Sequence, residues 1–224
     1  MARSSTKAVI WDMDGVIADT APYHLKAWQE VFRKRGVDFT EDDFRHSFGQ
    51  RNDTIIRNAL GREVSQEEMD TIAKDKEESF RQRIRQNLKP LPGVIKLIKS
   101  LAKSGVKLAL ASSAPMENIQ LLIGGLGISD YFQTIVTDQD VTEGKPNPQV
   151  FLLAAQRLGL KPKDCIVIED AVAGVSAAKK AGMLCLAITN THPRASLRQA
   201  DLIADTLEEV SVSDLDRLLS SRKG

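Results

Sequence analysis

The chain has 224 residues, with 31 basic against 30 acidic side chains and a formal charge of +1, so nothing in its charge balance draws it to nucleic acid or to a membrane surface. Hydrophobic residues at 42% and charged residues at 27% exclude wholesale disorder and suit one α/β domain with a small insert. Two thiols cannot build a structural zinc site alone, and Cys165 and Cys185, each inside a short apolar run, are expected to be reduced core residues.

Taken in order, the N-terminal stretch Met1 to Lys7 lacks an apolar signal segment, and no run of about 20 apolar residues follows. A cytoplasmic protein is the expectation. Residues 7–12 (Lys-Ala-Val-Ile-Trp-Asp) read as a strand buried on both faces and ending in a carboxylate. Residues 20–88 then read as helix upon helix, at 23–35, 41–46, 52–60 and 66–86, where dense charges such as Lys74-Asp75-Lys76-Glu77-Glu78 mark exposed faces. Pro90 and Pro92 mark the return to the first pattern. From there strand-like runs at 106–111, 134–136, 165–168 and 184–188 alternate with helical segments at 93–104, 116–124, 148–159 and 172–181, and the tail after about Ser213 reads as a terminal helix with a frayed basic end. The alternation predicts an α/β fold with a doubly wound parallel sheet, formed by residues 1–18 and 89–224, into which a helical unit at 19–88 is inserted as a candidate lid.

Ligands of open parallel sheets gather beyond the carboxyl ends of the strands, and here those ends are polar. The first delivers Asp12-Met13-Asp14-Gly15, the second Ser112-Ser113 and the one near 165 Glu169-Asp170, while Gly144-Lys145-Pro146 precedes a helix. A carboxylate can attack phosphorus and split one displacement into two, which is the role expected of Asp12. A second acid two residues on, Asp14, can protonate the leaving oxygen and then activate the incoming nucleophile. The acids Asp12, Glu169 and Asp170 make sense around a hard cation such as Mg2+, with Asp12 and Asp170 as direct ligands. Lys145 and the Ser112 hydroxyl can hold the phosphoryl oxygens as charge develops on them.

The segment Asp12-Met13-Asp14-Gly15-Val16, followed by Ser112, Lys145-Pro146 and Glu169-Asp170, resembles the four motifs of the haloacid dehalogenase superfamily over most of the chain. The helical insert directly after the first motif is similar to the subgroup of β-phosphoglucomutase, phosphoglycolate phosphatase and sugar-phosphate phosphatases. The resemblance implies a Rossmann-like core with a helical cap, an aspartyl-phosphate intermediate, the Asp14 carbonyl as a further metal ligand and Glu169 as an orienting group. Dehalogenases themselves normally lack the second aspartate, so Asp14 turns the reading toward phosphate esters. Asp19-Thr20-Ala21-Pro22-Tyr23-His24 with Trp28, and Lys76 later, look like the mutases, in which the matching His and Lys couple cap closure to the acid. Arg51 matches a cap arginine that grips a second phosphate. Against mutation, Ser113-Ala114-Pro115-Met116 stands where the mutases carry Ser, Lys and Asn donors, and the loop Phe48-Gly49-Gln50-Arg51-Asn52-Asp53 lacks their lysine-glycine pairing.

The expected activity is therefore a magnesium-dependent phosphatase acting on a small phosphorylated metabolite such as a sugar phosphate, with hexose-phosphate mutation as the alternative. Pyrophosphate hydrolysis and a non-catalytic binding module stand behind these. A monomer fits, although the oligomeric state stays open. Each residue also has a plainer reading: Ser113 as a loop hydroxyl, Lys76 as part of a wet charged face, His24 as a packing partner of Trp28, and His46 and His192 as structural or exposed groups. No P-loop, dinucleotide fingerprint or nucleophile elbow is present.

Overall fold

In the computed structural model, which describes residues 6–221, the first apolar run forms strand β1 (Ala8–Trp11), buried at all 4 positions. β2 (Lys107–Ala111), β3 (Thr134–Val136), β4 (Cys165–Glu169), β5 (Leu184–Ile188) and β6 (Leu202–Ala204) complete a parallel sheet in the order β3-β2-β1-β4-β5-β6. The order reverses between β1 and β4, so Asp12 and Glu169 leave neighbouring strands at the crevice where such sheets bind ligands.

Because successive strand residues point to opposite faces, the sheet supports two apolar layers. Val9, Trp11, Leu108, Leu110, Ile166 and Ile168 face helices α5 (Val94–Lys103) and α6 (Met116–Gly125), with α9 (Val212–Ser220) alongside. Ala8, Ile10, Ala109, Ala111, Val167 and both cysteines face α7 (Gln149–Arg157) and α8 (Val172–Lys180). The cysteines are buried and free, as expected.

Between β1 and α5 the described residues form α1 (Ala21–Arg33), α2 (Glu41–Ser47), α3 (Asn52–Leu60) and α4 (Gln66–Ile84). α1 begins earlier than the pattern indicated because Pro22 occupies its first turn, where a missing N–H is harmless. α2 carries a capping box between Thr40 and Asp43, and the Ser65 hydroxyl caps α4 at Glu68 N. Trp28, Val31, Phe32, Phe39, Phe44, Phe48, Ile56, Met69 and Ile72 give these helices an apolar cluster of their own.

β6 was not foreseen. It is three residues long, and its apolar run Leu202-Ile203-Ala204, shut in between Asp201 and Asp205, pairs among the described residues with β5 alone and is too short to stand out. The terminal helix is present, but its basic end, Arg222 and Lys223, lies outside the described residues, as do the first five residues of the N-terminal stretch. No described helix is long and apolar enough to cross a membrane.

Candidate active site

β1 hands on directly to Asp12, whose amide donates to Ile168 O at 3.0 Å and so fixes the turn beside β4. Its carboxylate Oδ1 lies 2.6 Å from Lys145 Nζ, and the same ammonium lies 2.7 Å from Glu169 Oε1. All three groups are buried. The other Glu169 oxygen accepts the amides of Asp170 and Ala171 at 2.8 and 2.9 Å, so both oxygens are engaged within the protein. Asp170 accepts a short hydrogen bond from the Thr191 hydroxyl, while its buried Oδ1 has no partner among the described residues.

The electrostatics follow from this crowding. Burial pushes the Asp12 carboxyl up to about 8, against the pull of Lys145 and with the added push of Glu169 and Asp14. Burial, Glu169 and Asp12 likewise raise Asp170. Burial would lower Lys145, but Asp12 and Glu169 outweigh it and hold the ammonium charged. Asp12, Glu169 and Asp170 each bring an oxygen within 4.8 Å of the others. An all-oxygen donor set with one buried carboxylate oxygen unsatisfied fits a hard divalent cation. Gly15 is required beside it, since it has φ +76° and a Cβ there would stand 1.9 Å from Asp170 Oδ2.

Asp14 sits across the pocket. Its Oδ1 accepts from the Thr20 hydroxyl at 2.7 Å and lies 2.9 Å from His24 Nε2. Burial would raise this acid, yet the neighbouring imidazole and the bonds from His24 and Thr20 hold it below the usual carboxylate range. His24 stacks on Phe80 with ring centroids 3.8 Å apart, rather than packing on Trp28. Ser112, 1% exposed at the end of β2, accepts from Ala114 N through Oγ, which leaves its own proton to donate.

Of these groups Asp12, Asp14, Ser112 and His24 share one pocket, lined also by Ser113 from the sheet side and by Trp28, Gln50, Asn52, Lys76 and Glu77 from the insert, with Lys145, Glu169 and Asp170 behind it. Here the charge-run reading of α4 fails. Lys76 and Glu77 are 3% and 5% exposed, because positions 69, 72, 76, 80 and 84 form the inward stripe of the helix. Lys76 Nζ lies 2.9 Å from His24 Nδ1 and 2.7 Å from Glu77 Oε1. Glu77 also accepts from Asn52 at 2.8 Å and from Asn118 at 2.6 Å, and these bonds together with Lys76 and His24 keep it ionised despite burial.

Arg51 does not line the pocket; its guanidinium turns to the carbonyls of Asp138 and Val141. Ser113 donates to Gly49 O. His46 is exposed, whereas His192 is buried with ring nitrogens 3.2 Å from Asp170 O and Arg45 O. Thr20, Glu77, Asn118 and Thr191 were not singled out as site residues. For Glu77 the helical spacing of α4 was the usable signal; Asn118 and Thr191 depend on pairings 41 and 21 residues away, which local sequence does not display.

The family model for haloacid dehalogenase-like hydrolases matches residues 6–182. The chain is 34% identical over 214 residues to the β-phosphoglucomutase of Bacillus subtilis, covering 92% of each. It is also 34% identical to the fructose-1-phosphate phosphatase of Escherichia coli, over 78% of this chain and 92% of the relative. The crystal structure of a β-phosphoglucomutase from Clostridium difficile superposes with a TM-score of 0.90 at 28% identity, covering 97% of this chain and 98% of that one.

Proposed function

The chain belongs to the haloacid dehalogenase-like hydrolases, and we propose that within this family it is a magnesium-dependent phosphatase of small sugar phosphates. The observation that carries the reading is the convergence of Asp12, Asp14 and Ser112 on one pocket, with Lys145 bound to Asp12 behind them.

In this mechanism the Asp12 carboxylate attacks phosphorus and the bond to the sugar oxygen breaks, leaving an acyl phosphate on Asp12. Asp14 protonates the departing alkoxide, then takes a proton from water as that water attacks the phosphorus and frees phosphate. It enters the cycle protonated, is anionic while the acyl phosphate stands, and regains its proton from the attacking water, with His24 and Thr20 orienting it and favouring the anion in between. Ser112 and Lys145 hold the phosphoryl oxygens through both displacements. Asp12, Asp170 and the Asp14 carbonyl would hold Mg2+, oriented by Glu169, and the ion supplies positive charge that lets the acids and the phosphoryl group share a buried space.

A mutase reading is favoured by the Lys76–His24–Asp14 contacts and by the β-phosphoglucomutase relatives. Against it, the Ser113 hydroxyl is bonded to Gly49 O, the Ala114 amide is spent on Ser112 Oγ, and neither Ala114 nor Pro115 has a side-chain donor to hold a distal phosphate. Incubation with magnesium and a panel of sugar phosphates, following free phosphate and isomerised sugar together, separates the two. Phosphate release without isomerisation supports the phosphatase; isomerisation of β-glucose 1-phosphate with little free phosphate refutes it.

A further inference from the structure

We propose that Arg51 is a positioning residue that latches the helical insert onto the loop carrying Lys145, and not a ligand for a second phosphate. Arg51 is the residue before α3, and its guanidinium nitrogen Nη1 donates to Asp138 O at 2.8 Å and to Val141 O at 2.6 Å. One terminal nitrogen has two hydrogens, so this pair of carbonyls uses both. Nε turns to Asp53 Oδ1 of its own helix at 3.3 Å.

The two carbonyls open the stretch that ends at Lys145, whose ammonium joins Asp12 to Glu169. The arginine stem then lies against that stretch. A Cβ at Gly144 would come within 2.7 Å of both Cγ and Cδ of Arg51, so the residue before Lys145 has no room for a side chain while Arg51 is docked. Two positions earlier in the insert, Gly49 O accepts from Ser113, beside Ser112. Segment 49–51 is thereby fastened to the core on both sides of the pocket: to the loop after β2 and to the loop before Lys145.

Charge points the same way. Of the described residues lining the pocket, Lys76 is the sole lysine or arginine, and its ammonium is bonded to His24 and Glu77. With Arg51 docked on backbone carbonyls, the pocket presents a second phosphate with carboxylates and amides. The substrate class that fits carries one phosphate on a neutral, hydroxyl-rich leaving group.

The kinetic test rests on the phosphatase reading, and a second measurement does not. Arg51→Ala is expected to lower kcat by about tenfold for every monophosphate with KM little changed, because Lys145 loses its fixed placement. Arg51→Lys, which can reach one carbonyl, retains part of the rate. Gly144→Ala displaces the arginine and produces a similar loss in the wild type, but adds nothing in the Arg51→Ala background. Additive losses overturn the latch, as does a rise in KM confined to bisphosphates with kcat on monophosphates intact. Hydrogen exchange over residues 48–53 and 138–145 decides the matter without turnover: both variants should accelerate it in the two segments together, and unchanged exchange overturns the latch even where no phosphate is released.

Discussion

The ammonium of Lys76 lies 2.9 Å from Nδ1 of His24, and Nε2 of the same ring lies 2.9 Å from Oδ1 of Asp14. An ammonium only donates, so Nδ1 accepts and Nε2 carries the proton given to Asp14. One tautomer of a buried histidine is thus set by a lysine on α4, and that tautomer aims a donor at the proposed acid.

Lys76→Met breaks this chain and leaves Glu77 as a buried charge without its cation. Turnover should fall by up to about a hundredfold as Asp14 loses its orienting partner. Stability should fall by about 3–5 kcal/mol. Adding Glu77→Gln removes the stranded charge, so the double variant should regain most of the stability in urea denaturation while its phosphate release stays low. Recovery of both together would contradict the proposed role of the tautomer.

Asp170→Asn removes one carboxylate from a buried cluster in which Asp170 Oδ1 has no partner among the described residues. Without metal, the variant should melt at a temperature equal to or above that of the wild type, since like charges no longer repel. Millimolar magnesium should raise the melting point of the wild type by mass action and leave the variant unmoved. An equal magnesium shift in both proteins would remove Asp170 from the proposed ligand set.

Gly15→Ala places a methyl 1.9 Å from Asp170 Oδ2 on a backbone at φ +76°. The left-handed conformation alone costs about 1–2 kcal/mol for a residue with a Cβ, and the collision moves Asp170. Calorimetry should show a lower melting point together with a lost magnesium shift. A variant that is destabilised but keeps a normal magnesium shift would show that Asp170 tolerates displacement.

The strands were legible because a strand covered on both faces has to be apolar at every position, as Ala8–Trp11 and Cys165–Glu169 nearly are. The polar residues ending them stood out for the same reason, so Asp12, Ser112 and Glu169-Asp170 could be named from sequence. Lys76 carries two readings in the sequence, a cap partner of the acid and part of a wet charged face, because a run of five charges masks the 3.6-residue spacing that buries it. The docking of Arg51 on the core has no signature in the sequence, since its partners are two backbone carbonyls 87 and 90 residues away, and carbonyls have no identity in a sequence.

Glu30 ties α1 to α4 through the Ser79 hydroxyl and Arg83, with Lys34 one turn away. The Ser79 bond, with Lys34 and Arg83 behind it, lowers the carboxyl from 4.5 to about 2. A depressed folded value stabilises the fold above the unfolded value, so the contribution is complete at neutral pH and fades as pH falls from 4.5 through 2. The side chain is partly exposed, which limits the effect to about 1 kcal/mol or less. Glu30→Gln should therefore be less stable than the wild type at pH 7 and converge with it on acidification. A gap that persists at the acid end would assign the effect to packing.

Phosphorylation of Asp12 itself is the step on which the proposed phosphatase activity rests. Wild-type protein mixed with magnesium and a turned-over sugar phosphate, then quenched with borohydride, should yield a peptide in which position 12 is reduced to homoserine, and Asp12→Asn treated identically should yield none and release no phosphate. Reduction at a different acid, or undiminished phosphate release by Asp12→Asn, would contradict the account.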